Sequence, residues 1–469
     1  MRSRPNVLIF MPDQLRADAV GCFGGFAKTP NIDALAARGT RFSQAYAQNS
    51  VCSPSRVSIF TGWYPHVRGH RTLTHLLQPE EPNLLKMFRD SGYHVAWAGR
   101  RGDTYSKVAE GLSTDRYGFA VKPQLFFEFG PEDRESTHAR AFLHGKRSSP
   151  VQALDFDEAA IQTAIQWLTE GLPEPWVLYV ALIFPHPPFE AEEPWFSLHD
   201  RADMPLPVVA DLSTKPAYMK RVHQAHGLAR MTPADWAELR AIYAGMTSRT
   251  DEQLGRLLAA VDQTGAGERT LSLFYTDHGE YLGDYGLVEK WPSGMDDCLL
   301  RNPLIIAGPG VKSGATSDAL VELVDLVPTL AEICDLRLAH TQFGQSLTGL
   351  LAGDTDHHKD AVFAEGGFSA SEEPLLETSA FPYDLKAAIQ HEDPIFAGRA
   401  ASIRTTDWTY IHRLYEGPEL YDRKADPHEL INLAGRDSHL RVERDLNSRL
   451  LSWYQDTSDV IPWEADKRF

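Results

Sequence analysis

The stretch NVLIFMPDQ, residues 6–14, is an unbroken apolar run that stops at a proline, an acid and an amide. Val7–Met11 is too short for a signal-peptide core, and no small-residue cleavage site follows it. It suits a strand buried on both faces, since a strand with one face in water alternates apolar and polar residues. Similar runs recur at His94–Ala98, Trp176–Phe184, Thr270–Tyr275 and Pro303–Ala307. Helical patterns lie between them, at Thr29–Arg38, Asn83–Asp90, Asp157–Leu168 and the long Thr232–Val261. Buried strands alternating with helices predict an α/β fold, with a large mixed, mostly parallel sheet and helices on both faces.

In such sheets ligands sit at the carboxyl ends of strands. Three of the runs end in chemistry-bearing residues. Val7–Met11 leads into Pro12-Asp13-Gln14, Trp176–Phe184 into Pro185-His186-Pro187-Pro188, and Thr270–Tyr275 into Thr276-Asp277-His278-Gly279. Any one of these reads equally well as an ordinary turn, because Asp, Gly and Pro favour turns. Together they supply oxygen from Asp13, Gln14 and Asp277 and nitrogen from His278. That donor set suits one divalent cation, Mn²⁺ or Ca²⁺, and accommodates Zn²⁺.

After about residue 350 the pattern changes. Residues 352–398 read as a linker or insertion. Ser402–Arg413 and Glu419–Asp422 read as a β-meander, followed by a helix around Leu440–Tyr454 and a polar tail carrying Trp463. The expected division is a catalytic α/β domain over 1–360 and a small C-terminal α+β lobe over 361–469.

The 469 residues carry 64 acidic against 46 basic side chains, a net charge of −18. Such a chain has no electrostatic footprint for nucleic acid or an anionic membrane surface. An anionic substrate then requires local cations to reverse the field. No run approaches the roughly 20 apolar residues of a membrane span. The four cysteines, Cys22, Cys52, Cys298 and Cys334, show no paired spacing and no disulfide framework. These features lead to the expectation of a soluble cytoplasmic protein.

Cys52 has unusual neighbours. NSVCSPSRVSIFTG, residues 49–62, places it directly before Ser-Pro-Ser-Arg. It resembles the sulfatase signature C-x-P-S-R followed by S-x-x-T-G, matched here at Cys52, Pro54, Ser55, Arg56, Ser58, Thr61 and Gly62. Further segments resemble the same family: TGWYPHVRGH after the signature, DHGEYLGDYGLVEK from Asp277 to Lys290, and ELYDRKADPHELINLA from Glu419. The chain is therefore similar to the type I sulfatases of the alkaline phosphatase superfamily. Asp-Gln at the first metal pair and Asp-His at the second resemble the choline sulfatase and phosphonate monoester hydrolase branches.

The resemblance implies that a formylglycine-generating enzyme oxidises Cys52 to formylglycine, whose hydrate is a geminal diol. One hydroxyl attacks sulfur, and the other loses its proton as the carbonyl reforms and sulfate leaves. It implies that Asp13, Gln14, Asp277 and His278 hold the metal, with residue 52 bridging metal and substrate. Arg56 holds the diol, Lys290 contacts the transferring group, and His186 protonates the leaving oxygen. The implied activity is hydrolysis of an aryl or small alkyl sulfate. The alternatives are the same machinery acting on a phosphonate monoester or phosphodiester, and a silent member that only binds a small anionic ester.

The chain departs from the family after His94–Ala98. A Gly-Lys-x-His segment is expected there, and Gly99-Arg100-Arg101-Gly102-Asp103 stands instead. Arg100 takes the lysine's place as a substrate-binding cation, and the histidine is missing. His75, followed by His70 and Arg71, is the expected substitute. Cys22, Cys298 and Cys334 read as buried small hydrophobes, Asp296-Asp297 as a solvated turn, and His357-His358 as an exposed loop. Apolar residues within 375–398 and the Trp463 tail suggest a homo-oligomer, most simply a dimer.

Overall fold

The computed structural model describes residues 4–99, 101–124, 134, 136–147, 154–338 and 340–461. The strands in chain order are β1 (Asn6–Met11), β2 (Gly39–Tyr46), β3 (His94–Ala98), β4 (Arg116–Gly118), β5 (Leu143–Lys146) and β6 (Trp176–Ala181). They continue with β7 (Phe189–Ala191), β8 (Thr270–Phe274), β9 (Arg301–Ala307), β10 (Ala315–Ser317) and β11 (Val321–Glu322). The central sheet runs β10-β2-β9-β8-β1-β6-β3-β4, with β11 also on β2, and β5 pairs with β7 apart from it. Its pairs are parallel except where β9 meets β2 and β8.

β1 lies in the middle, with Val7 opposite both Val177 and Leu271. Its side chains divide by parity. Leu8 and Phe10 pack with the helices Phe156–Glu170 and Pro233–Gln263, whereas Val7, Ile9 and Met11 face the layer containing the helices Cys52–Thr61, Leu84–Asp90 and Leu326–Ile333. Burial on both faces explains the unbroken apolar run, each such side chain contributing about 1.5–3 kcal/mol. The long helix Pro233–Gln263 begins with a capping box, Thr232 to Asp235, and carries proline in its first turn.

β2 escapes an apolar-run criterion for a local reason. Its register with β9 shifts between Phe42 and Ala45, and Arg41, Ser43 and Gln44 are only half-buried. A bulged strand with polar residues on both faces carries neither an unbroken nor an alternating pattern.

The C-terminal part forms a four-stranded antiparallel sheet, β12 (Val362–Gly366), β13 (Ala400–Arg404), β14 (Trp408–Arg413) and β15 (Glu419–Asp422). The helix Leu440–Thr457 packs Leu446, Leu450 and Trp453 against it. The fold is thus a mixed, mostly parallel α/β sheet with a small antiparallel lobe. The expected linker over 352–398 is structured, containing β12 and the helices Asp384–Glu392 and Pro394–Ala397. Ile389 joins the core on one face of the central sheet. Trp463 lies outside the described residues. No described helix is long and apolar enough to cross a membrane.

Candidate active site

The carboxyl ends of β1 and β8, adjacent in the sheet, bring Asp13 and Asp277 together. Thr276 ties the two ends: its Oγ1 donates to the Pro12 carbonyl at 2.9 Å and accepts from the Leu15 amide at 3.1 Å. Gln14 takes a left-handed φ of 62°, a costly conformation for a non-glycine residue that requires support from its surroundings. Tyr243, from the long helix, supplies that support by donating to the Gln14 carbonyl at 2.6 Å and accepting from the Arg16 amide at 2.8 Å.

Cys52 opens the helix Cys52–Thr61, all ten residues of which are buried. Gly62 ends the helix at φ 72°, a conformation that glycine adopts without steric cost. The helix N-terminus lies at the site, and the positive end of its dipole favours an anion there. Ser55 Oγ donates to the Asp277 carbonyl at 2.6 Å, fixing the helix to the end of β8. Cys52 Sγ lies 3.4 Å from His278 Nε2 and 3.9 Å from Asp13 Oδ1. Ligand atoms of Asp13, Cys52, Asp277 and His278 all lie within 4.8 Å of one another.

Arg56 holds this group from beneath. Its guanidinium reaches Asp277 Oδ2 at 2.7 Å, Asp13 Oδ2 at 2.8 Å and Asp103 Oδ1 at 3.3 Å. Burial alone raises the pKa of Asp13, but Arg101, Arg56 and Lys290 outweigh it and keep the carboxyl below its usual range. Asp277 is also raised by burial and by Asp13, and is brought below the usual range by Arg56, His278 and Arg101. Burial lowers the pKa of His278, and its Nδ1 lies 2.9 Å from the Gly279 carbonyl. A neutral imidazole with that nitrogen engaged leaves Nε2 as a lone-pair donor. Two ionised, fully buried carboxylates facing a bare imidazole nitrogen fit a divalent cation.

Gln14 stands beside this group, its amide held between Glu280 and Lys290 Nζ. Lys290 also reaches Glu289 at 2.8 Å. Burial works to lower the Lys290 pKa, yet Cys52, Glu289 and Asp13 hold it well above its ordinary value. His186 follows β6 on a proline-flanked turn, with Nδ1 2.7 Å from the Pro187 carbonyl. Burial, Lys290 and Arg101 keep its pKa well below the ordinary value. Lys290 and Arg101 therefore both act on His186 electrostatically.

Arg100 lies outside the described residues. Its neighbour Arg101 was not singled out, although it follows a strand like the other candidates. Arg101 bridges Asp13 and Asp103 and donates to the Leu182 carbonyl at 2.8 Å. Of the expected substitutes for the missing histidine, His75 is exposed and turned toward the Gly69 carbonyl. His70 is buried between His75 and Glu81, and Arg71 pairs with Glu372.

Other expectations need correction. Asp296 is buried and accepts from Tyr281 Oη at 2.6 Å, and Asp297 pairs with Arg301 at 2.8 Å, so they do not form a solvated turn. His357 is exposed, whereas His358 is turned onto buried Asp325 at 3.1 Å. Cys334 is buried, but Cys22 and Cys298 are only half-buried.

A metal-ready acidic pair, an arginine bracing it and a helix-borne cysteine, all at the carboxyl edge of a mostly parallel sheet, define a hydrolase of the alkaline phosphatase superfamily. The sulfatase family model matches residues 5–336. The chain belongs to the sulfatase family and is a sulfuric ester hydrolase. It is 28% identical over 515 residues to the multifunctional alkaline phosphatase superfamily protein PehA of Trinickia caryophylli, covering 97% of this chain and 96% of that protein. It is 26% identical over 498 residues to the choline-sulfatase of Rhizobium meliloti strain 1021, covering 99% and 90%. The phosphonate monoester hydrolase of Agrobacterium radiobacter superposes with a TM-score of 0.75 at 25% identity, covering 97% of this chain and 96% of that one.

Proposed function

We propose that this protein hydrolyses a sulfate monoester, aryl or small alkyl, through formylglycine at position 52. One observation carries the reading. The Cys52 side chain sits at the start of a buried helix within reach of both Asp13 and His278, where a nucleophile and a cation would share ligands.

Asp13, Gln14, Asp277 and His278 would hold one divalent cation, Mn²⁺ or Ca²⁺, with Zn²⁺ also compatible. Such an ion would neutralise ester oxygens and ease deprotonation of the attacking hydroxyl. One hydroxyl of the residue-52 diol attacks sulfur, and the bond from sulfur to the alkoxy oxygen breaks. The second hydroxyl then yields its proton, its oxygen becomes the carbonyl oxygen, and sulfate departs from carbon. Arg56 keeps Asp13 and Asp277 ionised and aligned, while Lys290 and Arg101 attract the ester's anionic oxygens. His186 is neutral in the free site, with Nδ1–H on the Pro187 carbonyl. The incoming anion offsets Lys290 and Arg101, so that Nε2 gains the proton delivered to the leaving oxygen.

The phosphonate ester reading uses the same groups, since both esters carry one negative charge. The likeness to a phosphonate monoester hydrolase keeps it as the second reading. The deciding experiment has two parts. The tryptic peptide Phe42–Arg56 is expected to carry the aldehyde or hydrate mass at residue 52 after co-expression with a formylglycine-generating enzyme. On that material kcat/KM is expected to favour an aryl sulfate over a phenylphosphonate ester. A thiol that persists would overturn the mechanism, and the opposite preference would select the second reading.

Cation binding has its own consequence. Dialysis against a chelator is expected to lower the thermal midpoint, with Mn²⁺ or Ca²⁺ restoring it. A site filled at 100 times its Kd contributes about 2.7 kcal/mol. A midpoint indifferent to both treatments would remove the cation from the scheme.

A further inference from the structure

The segment expected to be a linker reaches the catalytic pocket. Asp384 pairs with Arg140 at 2.7 Å, and Lys386 with Glu289, the residue before Lys290, at 2.5 Å. The Trp291 indole N–H donates to the Phe396 carbonyl at 2.7 Å. The Lys386–Glu289 pair ties the start of the helix Asp384–Glu392 to the segment that carries Lys290, and Tyr383 immediately precedes that helix.

The Tyr383 ring lies 5.1 Å from the Phe142 ring and 6.4 Å from the His186 ring, tilted to both. Phe142 is buried and held at φ 58°, a conformation disfavoured for a bulky side chain, so its position is imposed by its surroundings. Tyr383 is half-buried, and its hydroxyl makes no hydrogen bond among the described residues. The charges of Glu289, Lys290, Cys52 and Asp13 all act on that hydroxyl. Lys290 and Glu289, in contrast, are both engaged with protein partners. An aromatic face, and a donor with no hydrogen-bond partner among the described residues, thus flank the histidine assigned to the leaving oxygen.

We propose that Tyr383 determines specificity by forming the wall on which the departing alcohol rests, and that this alcohol is a flat aromatic one. The inference rests on the reading under Proposed function, because the His186 side of the pocket is the leaving-group side only if His186 protonates that oxygen. Offset or tilted rings at 4.5–7 Å gain more than contact area alone, which favours an aryl over an alkyl group.

The test compares Tyr383→Leu and Tyr383→Phe with the parent, all modified at residue 52, using 4-nitrophenyl sulfate and methyl sulfate. Tyr383→Leu is expected to lower the aryl-to-alkyl ratio of kcat/KM about tenfold. Tyr383→Phe, which keeps the ring, is expected to preserve that ratio while losing about three- to tenfold in kcat/KM with the hydroxyl. Equal losses on both substrates for Tyr383→Leu, or a collapse of the ratio in Tyr383→Phe, would overturn the proposal. Calorimetric binding of 4-nitrophenyl sulfate to Cys52→Ala, with and without Tyr383→Leu, needs no turnover. About tenfold weakening supports the wall, and unchanged affinity overturns it. Absence of turnover by the modified parent would instead overturn the reading of function and leave the binding comparison to decide Tyr383.

Discussion

Cys52→Ala is expected to fold normally and to lose turnover of sulfate esters by about 10⁴-fold or more, the scale seen when a covalent nucleophile is removed. The change deletes a single sulfur at a site with 5% exposure, and the lost packing costs on the order of 1 kcal/mol. Arg56 still braces both carboxylates, so the thermal midpoint stays close to that of the parent. Cys52→Ser sharpens the test. One hydroxyl allows attack on sulfur but leaves no second hydroxyl to expel sulfate. A stoichiometric burst of alcohol followed by arrest is then expected. Sustained turnover by Cys52→Ala would place the nucleophile elsewhere, and sustained turnover by Cys52→Ser would mean that water, not a second hydroxyl, releases sulfate.

Arg56→Met is expected to destabilise the fold by about 3–5 kcal/mol, the cost of breaking a buried ion pair from one side. Arg56 is fully buried and touches Asp13, Asp103 and Asp277, so methionine leaves the carboxylates facing one another with less compensation. Arg101 still reaches Asp13 and Asp103, which limits the loss on that side, whereas Asp277 keeps no arginine partner among the described residues. The urea midpoint measures the loss. Added Mn²⁺ is expected to raise the variant's midpoint more than the parent's, because the ion replaces the missing charge. A deficit below about 1 kcal/mol would mean that Arg56 serves the reaction without holding the site together.

The strands legible in the sequence were those buried on both faces. β1, β3, β6, β8 and β9 each contain an apolar run, and the residues after β1, β6 and β8 named much of the site. The bulged β2 and the edge strands β10 and β11 carry mixed residues, so their pairing depends on neighbours that a local pattern does not contain. Within the site, Asp13, Cys52, Arg56, Asp277, His278 and Lys290 were legible through spacing and resemblance, and the structure brings them together. Arg101 has no motif or spacing to mark it, and its contact with Asp13 depends on backbone direction in a loop. Tyr383 was illegible for another reason: it comes from a segment without periodicity, some 90 residues beyond Lys290, and its proximity arises only from tertiary packing. Asp296 was misread because acidic pairs usually face water, and its buried partner Tyr281 lies 15 residues earlier.

If residue 52 is converted to formylglycine as proposed, the complete burial of the helix Cys52–Thr61 sets an order of events during biosynthesis. The ends of β1 and β8 close over Cys52, and Lys290 and Tyr383 come from far downstream in the chain. A catalyst that must grip several residues around Cys52 finds them accessible while the polypeptide is still being made or threaded, and loses them once the sheet assembles. On the proposed formylglycine reading, modification at this position would compete in time with folding, and conditions that slow closure of the sheet are expected to increase the fraction of modified chains.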